Sequence, residues 1–217
     1  MTSVLITGAN RGIGAGLLEA YRDDGNDAFG THRASPGGPL LQLDVQNPQS
    51  HADLAKTWGD RPLDLLICNA GVYLDKGERL ETGFPAQQWE DTFATNVTGV
   101  FLTIQSLLPA LRRASSPRIA IISSQMASQT NAPGGSYIYR ASKAAALNLG
   151  RNLAADLRSD GIAVGIYHPG WVQTDMGGDA AAITVDDAVR GLRQEFDRLS
   201  LETTGCFRTW DGRDHPL

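Results

Sequence analysis

The segment Thr7–Gly14, with the sequence TGANRGIG, joins the apolar run Val4–Ile6 to a helical pattern over residues 13–24. A strand, a glycine-rich turn and a helix in this order form the phosphate-binding unit of dinucleotide folds. The glycines let the backbone turn sharply and approach a pyrophosphate, and the helix N-terminus offers N–H groups and the positive end of its dipole. A tight turn without a ligand uses the same glycines, so the rest of the chain decides between the two interpretations.

The chain repeats this alternation of short apolar runs and helical patterns. Apolar runs predict further strands over 27–31, 40–43, 63–68, 119–122, 162–167 and 206–207, and helical patterns cover 48–58, 85–96, 97–113, 137–159 and 185–199. Near-continuous apolar runs are typical of strands that are covered on both faces of a parallel sheet. We therefore predict an α/β fold: a single Rossmann-type doubly wound domain over residues 1–217, with about seven parallel strands and helices on both faces.

Composition narrows the class of partner. The 24 acidic and 19 basic residues give a formal net charge of −5, which excludes the basic footprint of a nucleic-acid-binding protein. No uninterrupted apolar run approaches the ~18 residues of a membrane span, and the N-terminus lacks the regions of a signal peptide. The two cysteines and four histidines have no metal-ligand spacing. We expect a cytoplasmic protein without a metal site or a membrane partner, acting on a small molecule.

The end of the second strand indicates the type of cofactor. NAD-selective sites usually place a carboxylate there, which binds the ribose hydroxyls. Here His32 and Arg33 occupy that position, and Arg11 lies in the glycine-rich turn. A guanidinium pairs with a 2′-phosphate, which a carboxylate would repel. NADP(H) is therefore favoured over NAD(H), although Arg33 alone is equally compatible with a solvated loop charge.

A tyrosine and a lysine share one face of the alanine-rich helix, since Tyr139 and Lys143 are four residues apart. Ser123 and Ser124 end the strand before that helix, and ligands of doubly wound sheets bind at the carboxyl ends of the strands. Hydride transfer to a carbonyl needs a proton donor for the oxygen. A neighbouring ammonium is expected to lower the pKa of the tyrosine toward the physiological range, and a serine hydroxyl polarises the substrate oxygen.

These motifs resemble the short-chain dehydrogenase/reductase family, and residues 134–143 with the Trp-Asp-Gly ending at 210–212 resemble its C-factor-type carbonyl reductase branch. The resemblance implies that Tyr139 is the acid/base, that Lys143 binds the ribose and lowers the pKa of the tyrosine, and that Asn96 supports a water relay. The serine spacing usual in the family falls on Met126. A two-residue insertion between 125 and 137 explains the difference, and Ser124 is preferred to Ser123 as the catalytic serine.

The resemblance also implies a set of cofactor contacts along the carboxyl ends of the strands: Gly8, Asn10, Arg11, Gly12, Ile13, Gly14, His32, Arg33, Asp44, Val45, Asn69, Ala70, Gly71, Tyr139, Lys143, Pro169, Gly170, Val172 and Thr174. In the family, the pair at 44–45 meets the adenine ring, although Asp44 is equally suited to flank a helix. Thr174 and the Pro-Gly pair reach the nicotinamide carboxamide. The glycine- and alanine-rich stretch 174–183 is either a substrate lid or an ordinary surface connection.

The function predicted from these motifs is NADPH-dependent carbonyl reduction, or the reverse alcohol dehydrogenation, with Tyr139 as the general acid. A cofactor-binding sensor or developmental signal protein with little turnover is the alternative, and the complete set of catalytic residues favours the enzyme. Halohydrin dehalogenation on this fold would need a halide pocket where the glycines lie. The family implies a homodimer or homotetramer formed through the helices at 97–113 and 137–159. Trp171, Met176 and Met126 either line the substrate pocket or pack in the core.

Overall fold

The computed structural model describes residues 1–34 and 38–217. Its strands are β1 (Ser3–Ile6), β2 (Asp27–His32), β3 (Leu40–Gln42), β4 (Leu65–Cys68), β5 (Arg118–Ile122), β6 (Ala163–His168) and β7 (Phe207–Thr209). They form one sheet in the order β3-β2-β1-β4-β5-β6-β7, and every pair of neighbours is parallel. The order reverses between β1 and β4, as in doubly wound sheets. The predicted fold class and strand number are confirmed.

Helices connect the strands and cover both faces of the sheet. They are α1 (Gly12–Asp23), α2 (Pro48–Trp58), α3 (Ala86–Phe93), α4 (Gly99–Leu111), α5 (Tyr137–Asp156) and α6 (Val185–Arg198). A π-helical turn, Ala94–Thr98, joins α3 to α4, so the two helices predicted over 85–96 and 97–113 form one continuous helical run. The alanine-rich helix predicted to 159 ends as α-helix at Asp156 and continues as a short 3₁₀ turn, Leu157–Asp160.

The sheet has a hydrophobic core on each face because alternate strand residues point in opposite directions. Leu5 and Ile121 belong to the core beneath α2, α4 and α5, whereas Ile6 and Ile67 belong to the core beneath α1 and α6. All four side chains are fully buried. Burial on both faces explains why the strands read as continuous apolar runs.

The helical run Ala86–Leu111 is, among the described residues, the one long and apolar enough in composition to cross a membrane. Half of its most apolar window is buried in the fold. Val100, Ile104 and Leu107 pack in the core cluster beneath α4. The run therefore has the packing of a core helix.

Strand register brings the ends of the central strands to one edge of the sheet. Ile6 pairs with Ile67, and Ile122 pairs with Tyr167. The loops that follow β1, β4, β5 and β6 therefore leave the sheet side by side. These are the loops that carry the predicted cofactor and catalytic residues.

Candidate active site

The glycine-rich turn after β1 needs its glycines for two different reasons. Gly8 and Gly12 have positive φ angles of 65° and 55°, in the left-handed region that favours glycine. A Cβ on Gly14 would overlap the carbonyl oxygen of Gly8 and the side-chain amide of Asn69. Gly14 is therefore required for close packing of α1 against the strand ends.

The N-terminus of α1 fits the phosphate groups of a dinucleotide. Its N-cap residue, Arg11, makes no side-chain capping hydrogen bond in the described structure, and the first turn carries no acidic residue. The N–H groups and the positive end of the helix dipole are thus not satisfied by a protein carboxylate. Asn10, Gly12 and Ile13 lie at this terminus, and their contact with phosphate stays a prediction.

The side chain of Asn69 holds the turn rather than reaching away from it. Its amide donates hydrogen bonds to the carbonyl oxygens of Thr7 (2.9 Å) and Gly8 (3.1 Å). The backbone N–H groups of Asn69 and Ala70 both donate to the Thr7 hydroxyl, at 3.0 Å each. The amide nitrogen of Asn69 is thus occupied by the turn, and contact of residues 69–71 with a cofactor stays a prediction. An added Cβ on Gly71 would lie 3.4 Å from Lys143 Nζ, so this backbone passes beside Lys143.

The two arginines predicted to bind a 2′-phosphate lie in different environments. Arg11 pairs with Asp175 at 2.5 Å, and both side chains are largely exposed. Arg33 is exposed at the end of β2 beside half-buried His32, and forms no ion pair within residues 1–34 and 38–217. An exposed ion pair contributes at most about 1 kcal/mol, so a 2′-phosphate could compete with Asp175 for Arg11. Binding of the 2′-phosphate by Arg11 stays a prediction.

Asp44 has the geometry of a residue that flanks a helix. Its Oδ1 accepts a hydrogen bond from the backbone N–H of Gln46 at 3.0 Å, and its own N–H donates to the Ser50 hydroxyl at 2.9 Å. These bonds hold the turn before α2. Val45 is buried beside the backbone of Gly99. Contact of this pair with an adenine ring stays a prediction.

The four predicted catalytic residues lie together and are buried. Lys143 Nζ is 5.6 Å from the centroid of the Tyr139 ring and donates to the carbonyl oxygen of Ile122 at 3.0 Å. The hydroxyl of Ser124 lies near enough to the Tyr139 phenol to lower its pKa. Asn96 lies in the π-helical turn, and a Cβ on Gly71 would contact both its Oδ1 and Lys143 Nζ. π turns of this kind are frequent at functional sites.

The structure distinguishes the two serines at the end of β5. Ser123 is buried, and its hydroxyl donates to the backbone carbonyl of Lys143 at 3.0 Å. Ser124 accepts from the N–H of Met126 at 3.1 Å, and its hydroxyl influences the pKa of Tyr139. Ser124 is therefore the serine that shares the site with the tyrosine. Between Ser124 and α5 the chain forms the 3₁₀ turn Gln125–Ala127 and a loop, and the predicted two-residue insertion in this stretch stays a prediction.

The prediction that Lys143 lowers the pKa of Tyr139 toward the physiological range is wrong. Burial raises the pKa of Tyr139 to about 12, and the nearby hydroxyl of Ser124 offsets only part of this rise. Burial also lowers the pKa of Lys143 to about 8. Desolvation thus outweighs the attraction between phenolate and ammonium that the helical spacing suggested. At neutral pH the phenol keeps its proton, which is the form that a proton donor requires.

Two residues of the loop after β4 were missed by sequence reasoning. The ring of Tyr73 stacks on that of Tyr139, with centroids 4.2 Å apart and planes inclined by 21°. The carboxylate of Asp75 is fully buried and accepts hydrogen bonds from the backbone of Ile138 and Tyr139. Neither residue belongs to a motif, and more than sixty residues separate them from α5 in sequence. Only the fold brings them together.

The stretch 174–183 is anchored to both neighbouring loops. Lys76 Nζ donates to the carbonyl oxygen of Met176 at 3.3 Å, and Asp175 pairs with Arg11. The Thr174 methyl lies 3.3 Å from the Cβ position of Gly12, which places Thr174 beside the glycine-rich turn. The segment therefore crosses the carboxyl edge of the sheet. Its action as a lid stays a prediction.

The remaining predicted residues follow β6. Gly170, after Pro169, has a φ of 92°, and an added Cβ would overlap Ile183, which pairs with Val172 in an isolated bridge. Trp171 is half-exposed, and its indole N–H donates to the carbonyl of Gly177 at 2.9 Å.

The sequence predicted that Trp171, Met176 and Met126 either line the substrate pocket or pack in the core, and two of them are exposed. Trp171 and Met176 are 51% and 40% exposed, so neither packs in the core. Met126 has intermediate exposure.

His168 is buried, and burial lowers its pKa to about 4, as for a packed neutral imidazole. No group of metal-ligating side chains occurs in the part of the chain that the structure describes.

Comparison with known proteins gives a consistent result. The family model described as short chain dehydrogenase matches residues 2–183. C-signal of Myxococcus xanthus is 38% identical over 159 residues, which cover 71% of this chain and 93% of that protein. The 1-hydroxy-2-glutathionyl-2-methyl-3-butene dehydrogenase of Rhodococcus sp. (strain AD45) is 33% identical over 98% of both proteins. The NADPH-bound carbonyl reductase from chicken fatty liver has a TM-score of 0.91 at 30% identity, covering 100% of this chain and 99% of that one.

Proposed function

Because the chain belongs to the short-chain dehydrogenase/reductase family of NAD(P)-dependent oxidoreductases, we propose that it is an NADPH-dependent carbonyl reductase. Its likeness to C-signal and to a solved carbonyl reductase agrees with the C-factor-type branch indicated by the sequence. The observation that carries the proposal is the buried group of Ser124, Tyr139 and Lys143, with a protonated phenol, at the edge of the sheet where the glycine-rich turn lies. The reverse alcohol oxidation uses the same residues.

Each residue of this group has a distinct task in carbonyl reduction. NADPH, when bound, supplies the hydride that is added to the carbonyl carbon. Tyr139 gives its phenolic proton to the carbonyl oxygen, and the hydroxyl of Ser124 holds that oxygen in place. Lys143 stabilises the phenolate that remains, since a pKa of about 8 leaves its amine mostly protonated at neutral pH. Asn96 lies beside the lysine, where the proposed relay would return a proton.

The proposed preference for NADPH rests on the charged residues around the glycine-rich turn. The residues that would hold the pyrophosphate are those of the Gly8–Gly14 turn. Arg33 is an exposed cation at the end of β2, where an NAD-selective site would carry a carboxylate. Arg33 is the group that would pair with the 2′-phosphate, with Arg11 as a second cation on the same turn.

We also propose a cytoplasmic protein that associates as a homodimer or homotetramer through α4 and α5. Phe101 on α4 is 39% exposed, and an apolar ring exposed on this face suits a contact between subunits. Light scattering tests this assembly, and a single monomeric species would contradict it.

The test of the proposed function measures NADPH consumption with a panel of aldehydes, quinones and diketones. We expect turnover by the wild type and a loss of at least ~100-fold in Tyr139→Phe, because general acid catalysis contributes about this much or more. NADPH binding, followed by its fluorescence, should be unchanged. Tyr137→Phe is the matched control, since this exposed tyrosine lies two residues away and position 141 is alanine rather than lysine.

Two outcomes would overturn the proposal. Retained turnover in Tyr139→Phe would remove this residue from the reaction. Tight NADPH binding by the wild type without turnover of any carbonyl would favour the cofactor-binding sensor or signal protein instead. Parallel assays with NADH measure the cofactor preference, and equal efficiency with both nucleotides would contradict the choice of NADPH.

A further inference from the structure

The first turn of α5, which carries Tyr139, lacks the usual local cap. Its N-cap residue, Ser136, has a φ of 48°, in the left-handed region, and makes no side-chain capping hydrogen bond. The carboxylate of Asp75 takes that place. Its Oδ2 accepts from the N–H of Ile138 at 2.8 Å, and its Oδ1 accepts from the N–H of Tyr139 at 3.2 Å.

A buried carboxylate at this position is held by the helix itself. Asp75 has no exposed surface. The free N–H groups and the positive end of the helix dipole stabilise its charge, as they do for a local N-cap. The consequence is that the backbone of Tyr139 is tied to the loop after β4 instead of to its own flanking residues.

A second contact from the same loop supports the tyrosine ring. Tyr73 stacks on Tyr139, and the Tyr73 hydroxyl is hydrogen-bonded to the hydroxyl of Ser136 at 2.5 Å. Tyr73 and Asp75 therefore hold the side chain and the backbone of the same residue. Both contacts come from a loop that no catalytic motif includes.

The groups around Tyr139 differ in charge. Ser124 lies near it at the end of β5, and Lys143 lies one turn further along α5. Tyr73 stacks on the ring, and Asp75 lies at the backbone N–H of Tyr139. The negative charge of Asp75 raises the pKa of Tyr139, after burial and the tyrosine neighbour. It therefore opposes the ammonium of Lys143 and favours the protonated phenol.

We propose that Asp75 is a positioning residue for the proton donor, whose buried charge fixes the first turn of α5 and holds the Tyr139 phenol in its protonated form. The inference rests on the proposed function, because it assigns Tyr139 the role of acid. Its chemical consequence is a preference for carbonyl reduction at neutral pH, since alcohol oxidation would require the phenolate as base.

The test compares Asp75→Asn with Asp75→Glu. The amide keeps an acceptor oxygen and the size of the side chain but removes the charge, whereas glutamate restores the charge. Asp64→Asn is the matched control, because Asp64 also accepts a backbone N–H, that of Ser3 at 2.8 Å, at the opposite end of the sheet. Asp75→Ser provides a second neutral acceptor if the amide variant does not fold.

The main readout is the tyrosinate absorbance of Tyr139, obtained as the difference between each variant and the same variant carrying Tyr139→Phe. We expect Asp75→Asn to move its titration to lower pH, because the substitution removes a negative charge that disfavours the phenolate. Asp75→Glu and Asp64→Asn should leave it in place. The pH profile of carbonyl reduction should move in the same direction in Asp75→Asn.

A purely structural role predicts a different pattern. Asp75→Asn would then lower the urea midpoint and the turnover while the Tyr139 titration stayed at the wild-type pH, and this result would overturn the proposal. Because the titration needs neither substrate nor NADPH, it tests the effect of Asp75 on the phenol independently of the proposed carbonyl reduction. If the wild type turned over no carbonyl while Asp75→Asn shifted the Tyr139 titration, the proposed function would be refuted. The effect of Asp75 on the phenol would still be supported.

Discussion

The stability of the protein should depend on pH through Lys143, whose side chain is only 4% exposed. Burial lowers its pKa from 10.5 to about 8. Between these two values Lys143 therefore binds fewer protons in the folded state than in the unfolded state, so its contribution to the free energy of unfolding rises with pH across that window. Below pH 8 the cost of the buried charge is present in full, and above about 10.5 it has disappeared.

The expected size follows from the two pKa values. Linkage between pH 7 and pH 10 gives about 2 to 3 kcal/mol of added stability from this one group. The assay is urea unfolding of the wild type and Lys143→Met at both pH values, with Lys56→Met, an exposed lysine of α2, as the control. The raised pKa values of Cys68 and Tyr139 act in the opposite sense above pH 9.0, and both groups are present in all three proteins. A wild type and Lys143→Met that change equally between the two pH values would refute the reasoning.

Two further substitutions test neighbouring parts of the site. Asn96→Ala removes three hydrogen bonds, two to the backbone of Val72 and one to Ser142. At about 1 kcal/mol each, their loss should lower the thermal midpoint by about 6 to 12 °C. A decrease of less than ~2 °C in calorimetry would show that these bonds contribute little to stability. Arg33→Ala should weaken NADPH binding by about 10- to 100-fold and leave NADH binding unchanged, because a charge-assisted hydrogen bond contributes about 1.5 to 3 kcal/mol. Equal weakening of both nucleotides, measured by fluorescence titration, would remove Arg33 from the 2′-phosphate.

The fold could be predicted because strand burial and sequence pattern carry the same information. Runs such as Leu65–Cys68 and Arg118–Ile122 are covered on both faces, so their apolar residues are nearly continuous in sequence. The continuous helix through Ala94–Thr98 could not be read in the same way. A π turn changes the backbone hydrogen bonds without interrupting the apolar pattern, and periodicity does not detect it.

The candidate site could be predicted where its residues follow strand ends within short motifs. Tyr139 and Lys143 lie one helical turn apart, and their spacing already places them on one face. Asp75 and the pair Arg11–Asp175 depend on how separate loops meet at the edge of the sheet, and sequence spacing contains no information on that. The direction of the tyrosine pKa was missed for a related reason, because burial depth is a property of the whole fold.

Burial shifts the two central groups toward their neutral forms, and this has a chemical consequence for the proposed reduction. A phenol with a pKa of about 12 is a weak acid, and at pH 7 about one molecule in 10⁵ is ionised. An alkoxide oxygen is still more basic, comparable to hydroxide with its conjugate acid near ~15.7, so proton transfer from Tyr139 is downhill once hydride has reached the carbonyl carbon. Before that, the phenol retains its proton. The same burial leaves almost no phenolate to act as base in alcohol oxidation at neutral pH, and Asp75 strengthens this bias through its negative charge.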